Sequence, residues 1–378
     1  MPEPNTTLTF AVNLLWVRPG KVGGTEVMIR NLLTGFHHEK DPFHAFLITS
    51  KDNADTFRHY AEEDPRYTID VCDVLSANIG KRILWQNLHL NAHLRHLSLT
   101  CCFSPVYDRP VFNGGIRYVS VIHDIQACHY PKYHPSYEVW YSKLIWKAVR
   151  DRSAGIVCIS DAVREDIEAV YHFPKEKTTT IYNPVTVDPK ETCSFATLSE
   201  RYHISPKGYY YTVGQLIPHK NIATLLRVMA ILKERKTPEK LLISGISGNA
   251  ENDLVRSVRE LGIKDCVQFT GYVSNAERNT LYQNARAFLF PSVFEGFGIP
   301  PVEAMILGAT VITTRCTCIP EVTQGKANYV DDPYDPEDWI RAMEHAKNHS
   351  AELDTTRYSL PVIAGKYLAY LRSVFTAS

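Results

Sequence analysis

Phe294-Glu295-Gly296-Phe297-Gly298-Ile299-Pro300-Pro301-Val302-Glu303 places two carboxylates and two glycines around the point where a helix is about to begin. Gly296 and Gly298 let backbone amides approach a ligand closely, and Pro300 and Pro301 suit the first helical positions, where a missing N–H costs nothing. The helix turns its positive end toward the loop, and a diphosphate is the anion such a terminus favours. Phe297, Ile299 and the glycines would line that approach. Glu303, inside the first turn, is expected to accept hydrogen bonds from a ribose diol. Glu295, on the loop, is expected to hold sugar hydroxyls. A Gly-Phe-Gly turn can also cap an ordinary helix. Here it follows the apolar run 287–291, which supplies the strand end where ligand loops of α/β proteins lie.

Outward from this loop, short β-branched or aromatic runs alternate with amphipathic stretches, the pattern of a doubly wound α/β protein. Strands are predicted at 10–17, 45–49, 67–71, 118–122, 156–159 and 179–182. The alternation then restarts with 209–213, 241–244, 267–269, 287–290, 311–313 and 328–330. Two Rossmann-like units result. The stretch 183–206, with several Pro, Ser and Thr and no clear periodicity, reads as the linker between them.

Composition bounds the function. The 378 residues suit about two domains with separate cores. Lys+Arg and Asp+Glu both number 41, so no basic excess points to nucleic acid as the partner. Nine scattered cysteines, an odd number, argue for reduced thiols in a cytoplasmic setting. Cys316-Thr317-Cys318 lacks a second ligand pair at zinc spacing, so no metal is expected. There is no run of 18 apolar residues, and the N-terminus carries no basic region leading into an apolar signal segment.

The Glu-x7-Glu spacing, followed by Ala304-Met305 and Gly308-Ala309-Thr310-Val311-Ile312, resembles the retaining glycosyltransferases of family 4. That resemblance implies the GT-B fold: two Rossmann-like domains facing across a cleft, with a C-terminal helix crossing back to the first. Residues 1–190 would form an N-terminal acceptor domain completed by about 360–378, and 191–359 a donor domain for a nucleotide sugar.

Other blocks carry the same resemblance. Pro19-Gly20-Lys21-Val22-Gly23-Gly24-Thr25 resembles the family's glycine loop, whose Gly23-Gly24 pair would face the β-phosphate or the acceptor. The alternative is a tight turn whose glycines only satisfy backbone geometry. Without a G-x-G-x-x-G order the loop is a poor NAD fingerprint. Val121-Ile122-His123-Asp124 resembles the strand end whose histidine hydrogen-bonds the donor sugar, with Asp124 either orienting the imidazole or capping a turn. In Cys158-Ile159-Ser160-Asp161, Ser160 or Asp161 also makes a good helix cap. Val213-Gly214-Gln215-Leu216-Ile217-Pro218-His219-Lys220-Asn221 resembles the phosphate-binding loop, with Lys220 the cation carried over. Gln215 and His219 stand where family members often have arginine, which leaves a second cation to protonated His219 or to an arginine from elsewhere. Tyr272 and Val273, after a strand, are candidates to flank the base, or else form a turn with a packed aromatic.

The resemblance implies metal-independent transfer of a hexosyl group with retention and no cofactor. The donor would be a nucleotide diphosphate sugar, with His123, Glu295 and Lys220 at the chemistry. The Ile-His-Asp block and Leu-x-Pro-x-Lys-Asn most resemble bacterial mannosyltransferases of surface polysaccharide assembly, which implies GDP-mannose, with UDP-hexoses as alternatives, and a glycan or lipid-linked acceptor. An epimerase or hydrolase of sugar nucleotides, or a silent sugar-nucleotide-binding subunit, would share the fold. A basic and aromatic helix over 81–95 suits either contact with the inner membrane surface or packing on its own domain.

Overall fold

The computed structural model describes residues 7–20, 23–245, 248–346 and 353–377. The chain divides into two units, Met1–Pro184 with Thr356–Ser378 and Val185–Thr355, a few residues from the expected boundaries.

The first unit holds seven parallel strands: β1 (Leu8–Asn13), β2 (Phe43–Ser50), β3 (Tyr67–Cys72), β4 (Cys101–Ser104), β5 (Arg117–Ile122), β6 (Gly155–Cys158) and β7 (Thr178–Thr180). Their order is β3-β2-β1-β4-β5-β6-β7, so the winding reverses between β1 and β4. β4, at the centre, has no counterpart among the predicted strands. It is four residues long, Cys-Cys-Phe-Ser, all buried, and too short and poor in β-branched side chains for a periodicity signal. β1 ends at Asn13 rather than at 17, because the buried Asn13 amide turns the chain and donates to Gln86 Oε1 at 3.2 Å and the Asp108 carbonyl at 3.1 Å.

The second unit repeats the plan with β8 (Tyr210–Val213), β9 (Leu241–Ser244), β10 (Val267–Gly271), β11 (Ala287–Phe290), β12 (Val311–Thr313) and β13 (Asn328–Tyr329), in the order β10-β9-β8-β11-β12-β13. Both faces of such parallel sheets are covered by helices, which is why their strands read as short continuous apolar runs.

The division between the units falls inside the stretch 183–206, at Pro184–Val185, but most of the stretch is structured and belongs to the second unit. It contains the helix Phe195–Tyr202, which buries Leu198 and Tyr202 four residues apart. The backbone before it is laced to the helix Asn275–Asn284, through Asn279 Nδ2 to the Glu191 carbonyl at 3.0 Å and Cys193 N to Thr280 Oγ1 at 2.9 Å. Two apolar residues sufficed for two turns, a signal the Pro, Ser and Thr around them mask.

The C-terminal helix, Leu360–Thr376, returns to the first unit. It crosses the helix Gly24–His37 so closely that a Cβ on Gly35 would lie 2.7 Å from Ala364 Cβ. Arg117 at the start of β5 caps its end, donating to the Val374 carbonyl at 2.7 Å and the Ala377 carbonyl at 2.5 Å. The basic and aromatic stretch forms Ile79–Trp85, a π turn over Gln86–Leu90 and Asn91–His96. It packs on its own unit through Leu90 and Leu94, and Arg82 is buried in a charged hydrogen bond to Asp108, while Leu84 and Leu88 stay exposed.

Candidate functional site

In the second unit the winding reverses between β8 and β11, and loops leaving two such strands at their carboxyl ends are where open α/β sheets bind ligands. The loops that follow β8 and β11, together with the helix Ile299–Ile306 after the second, carry most of the predicted residues. They are joined at their base, where Val293 N donates to the His219 carbonyl at 2.9 Å. His219 itself is buried, and Gln215 is exposed.

After β11 the chain runs through Glu295 and Gly296 to the helix Ile299–Ile306. Gly298 sits at the helix cap with φ 76°, and a Cβ there would come within 2.7 Å of Ile319 Cδ1, so the position demands glycine for conformation and for space. The Glu295 amide donates to Thr317 Oγ1 at 3.1 Å, and the Cys318 thiol donates to the Glu295 carbonyl at 3.2 Å. Thr317-Cys318 therefore clamps the loop that carries Glu295. Phe297 is buried and anchors the turn, while Ile299 begins the helix.

Lys220 and Glu295 meet. Nζ lies 2.5 Å from Oε1, with both side chains mostly covered. The lysine ends a short 3-10 turn, Pro218–Lys220, and Asn221 after it takes the left-handed φ of 53° before the helix Ile222–Glu234. Asn221 is held there by its amide, which donates to the Pro333 carbonyl at 2.8 Å.

Glu303 lies at the fifth position of its helix, one residue further in than the sequence placed it. It is buried and paired with Arg278 of the neighbouring helix, Nη2 to Oε1 at 3.1 Å. Burial pushes its carboxyl above the usual 4.5, and Arg278 offsets only part of that. The Arg278 Nε is buried with no hydrogen-bond partner among the described residues.

The chain converges through its backbone where β8, β9 and β10 end. Gly214 N donates to the Ser244 carbonyl at 3.1 Å and Gly245 N to the Gly271 carbonyl at 2.9 Å. A Cβ on Gly245, at φ 146°, would lie 1.8 Å from the Gly214 carbonyl oxygen. Beside this crossing is a cavity of about 280 Å³ lined by Leu216, Ile243, Gly245, Glu251, Phe269, Gly271 and Tyr272. Tyr272 is 78% exposed at its rim, whereas Val273 is buried.

In the first unit, Gly23 caps the helix Gly24–His37 at φ 63°, and a Cβ on either Gly23 or Gly24 would meet nothing within 4 Å among the described residues. Lys21 and Val22 of the same loop lie outside the described residues. His123 follows β5 and is partly buried, its Nε2 2.8 Å from the Pro105 carbonyl after β4. A carbonyl only accepts, so Nε2 carries the proton and Nδ1 keeps its lone pair. Burial lowers the imidazole pKa, with the Pro105 bond and Asp124 acting the other way, so the ring favours its neutral form. Asp124 Oδ1 accepts from Gln126 N at 2.9 Å, capping the turn. Ser160 caps the helix Asp161–Tyr171 by accepting from Val163 N at 3.2 Å.

The chain matches two family descriptions, Glycosyltransferase Family 4 over residues 22–189 and Glycosyl transferases group 1 over residues 197–358. The chain belongs to glycosyltransferase family 4. Among curated relatives it is similar to the O-antigen chain mannosyltransferase B of Escherichia coli, 32% identical over 58% of this chain and 58% of the relative. It is also similar to the O-antigen chain mannosyltransferase RfbU of Salmonella typhimurium, 30% identical over 59% of each. The matched part thus spans less than two thirds of the length of these relatives. Among solved structures, sucrose-phosphate synthase from Thermosynechococcus elongatus superposes with a TM-score of 0.74 at 16% identity, covering 98% of this chain and all of that one. This likeness shows the GT-B fold.

Against that family frame, sequence reasoning missed Arg278, the Thr317-Cys318 clamp and Glu251. Arg278 stands one residue after the Ser274–Glu277 capping box, and the box announces a helix but not which face meets Glu303. Among the described residues no helix is long and apolar enough to cross a membrane.

Proposed function

We propose that this chain transfers a mannosyl group from GDP-mannose, with retention at the anomeric carbon, to a glycan or lipid-linked oligosaccharide in surface polysaccharide synthesis. The observation that carries the reading is the Lys220–Glu295 pair, 2.5 Å apart on a glycine-capped loop at a helix N-terminus. An arriving donor would exchange that pair, Lys220 turning to the pyrophosphate and Glu295 to the sugar hydroxyls. The amides of Gly298 and Ile299 and the helix terminus would stabilise the same leaving charge by electrostatic preorganisation.

Transfer proceeds on one face. As the bond to the β-phosphate oxygen breaks, the sugar acquires oxocarbenium character, the acceptor oxygen bonds from the same side, and its proton passes to the departing phosphate oxygen. No metal is required in this route. Neutral His123, with its Nε2 proton fixed on Pro105, is assigned to the donor sugar through the first unit. Gly23 and Gly24 leave room for phosphate or acceptor.

Ribose hydroxyls are assigned to Glu303 and the base to the cavity beside Tyr272. Glu251 on that cavity wall favours guanine, whose N1–H and N2 amino group donate to a carboxylate, over uracil, whose Watson–Crick edge adds two carbonyl acceptors that a carboxylate repels. The two mannosyltransferase relatives support the sugar. Tyr137 and Trp140, at 70% and 68% exposure beside Lys143 on the helix Ser136–Arg152, favour peripheral contact at the cytoplasmic membrane face through this helix.

The test is a panel of GDP-mannose, UDP-glucose, UDP-galactose and UDP-N-acetylglucosamine, read by thermal shift and by product with and without a glycan acceptor. GDP-mannose should give the largest shift, and Glu251→Gln should narrow its margin over the UDP sugars. A UDP sugar in first place overturns the donor, and nucleotide release that ignores the acceptor overturns transfer.

A further inference from the structure

The outer edge of the first sheet gathers chemistry that the transfer reaction does not use. β3 is the end strand, and Asp70 and Cys72, two residues apart on it, leave the same face. His93, from the helix Asn91–His96, reaches that face, with Nε2 2.5 Å from Asp70 Oδ2, and Cys72 Sγ lies 3.8 Å from the same oxygen. One donor atom from each of the three residues lies within 4.8 Å of the other two.

Three further features bear on this cluster. The π turn over Gln86–Leu90 inserts an extra residue into the helix just before His93, and such bulges often mark functional positions. Cys72, Val74, Leu90 and Leu94 belong to one apolar cluster, so one side of the group is shielded from water. On the other side His93 and Asp70 remain partly exposed, which gives an ion a way in.

We propose that Asp70, Cys72 and His93 form a binding site for a zinc-class divalent cation that ties the edge strand β3 to the helix above it. One thiolate, one imidazole and one carboxylate make a mixed sulfur, nitrogen and oxygen set suited to tetrahedral zinc, with water in the fourth position. Calcium and magnesium prefer all-oxygen surroundings and would not select a buried cysteine. Binding is balanced by a proton: the thiol S–H bond breaks, the thiolate bonds the cation and the proton leaves to solvent. The site serves stability rather than transfer, so it is independent of the metal-free route proposed above.

The experiment uses the full chain without a histidine tag, stripped by chelator and dialysed against zinc alone, then against cobalt as the optical probe. One equivalent of zinc should bind and raise the melting temperature. Cobalt should give thiolate-to-metal charge-transfer absorption. Cys72→Ser should abolish that absorption, and both it and His93→Ala should weaken zinc binding by roughly 100-fold. His93 is partly exposed, so His93→Ala keeps the test decisive if Cys72→Ser does not fold. Absence of zinc uptake overturns the proposal. Full zinc binding retained in His93→Ala also overturns it, because the metal then sits elsewhere among the other cysteines and histidines.

Discussion

Two glutamate–cation pairs flank the helix Ile299–Ile306, and they are built differently. Lys220 and Glu295 both sit on loops, and the lysine reaches the carboxylate at the end of a flexible stem. Arg278 and Glu303 are both on helices, with Glu303 among the buried residues. A pair on loops can exchange partners when a ligand brings its own charges, at the cost of moving one flexible side chain. A pair between helices is fixed by packing and presents one preset carboxylate edge. The contrast suggests a division of labour: the mobile pair for the reacting sugar and phosphates, the fixed pair for the unreactive nucleoside.

The largest effect should come from the mobile pair. Lys220→Ala removes the cation assigned to the leaving group, and turnover should fall by roughly 10²-fold or more while the protein stays folded. A folded variant with near-normal turnover would break the assignment. The fixed pair predicts a smaller effect, on stability. Because the Glu303 pKa is raised above 4.5 in the folded protein, the group favours folding below pH 4.5, and that contribution is lost as pH rises through the raised value. Measured by thermal melts, the stability of Glu303→Gln relative to the parent should therefore increase with pH across that window. A difference that stays constant from acid to neutral pH would contradict the burial argument. The smallest expected effect is that of chelation. Transfer assayed in EDTA, well below the melting temperature, should continue at its normal rate. Loss restored by manganese or magnesium would show that a metal, not Lys220, carries the leaving charge.

The sequence showed much of this because parallel strands buried on both faces leave dense local signals. The runs at 241–244, 287–290 and 311–313 appear at those positions as β9, β11 and β12. The glycines around Glu295 announced a helix start, and Gly298 is at its cap. What stayed hidden depends on contacts between segments distant in sequence. Arg278 is 25 residues from Glu303, and only the packing of two helices makes them a pair. The role of Thr317-Cys318 as a clamp on Glu295 was equally invisible, since the letters Cys-Thr-Cys suggest ligation rather than a thiol donating to a carbonyl. Asp70, Cys72 and His93 come together only in the fold, where the helix that follows a π turn brings His93 to an edge strand.

The central claim, that Glu303 serves the nucleoside and Glu295 the sugar, is tested most directly by calorimetric titration of free GDP into the parent, Glu303→Gln and Glu295→Gln. Glu303→Gln keeps the shape but weakens charge-assisted bonds to the ribose, so affinity should fall by about 1.5–3 kcal/mol. Glu295→Gln should bind GDP almost as the parent does, while its transfer from the intact donor drops. Equal losses of GDP affinity in the two variants would contradict the division.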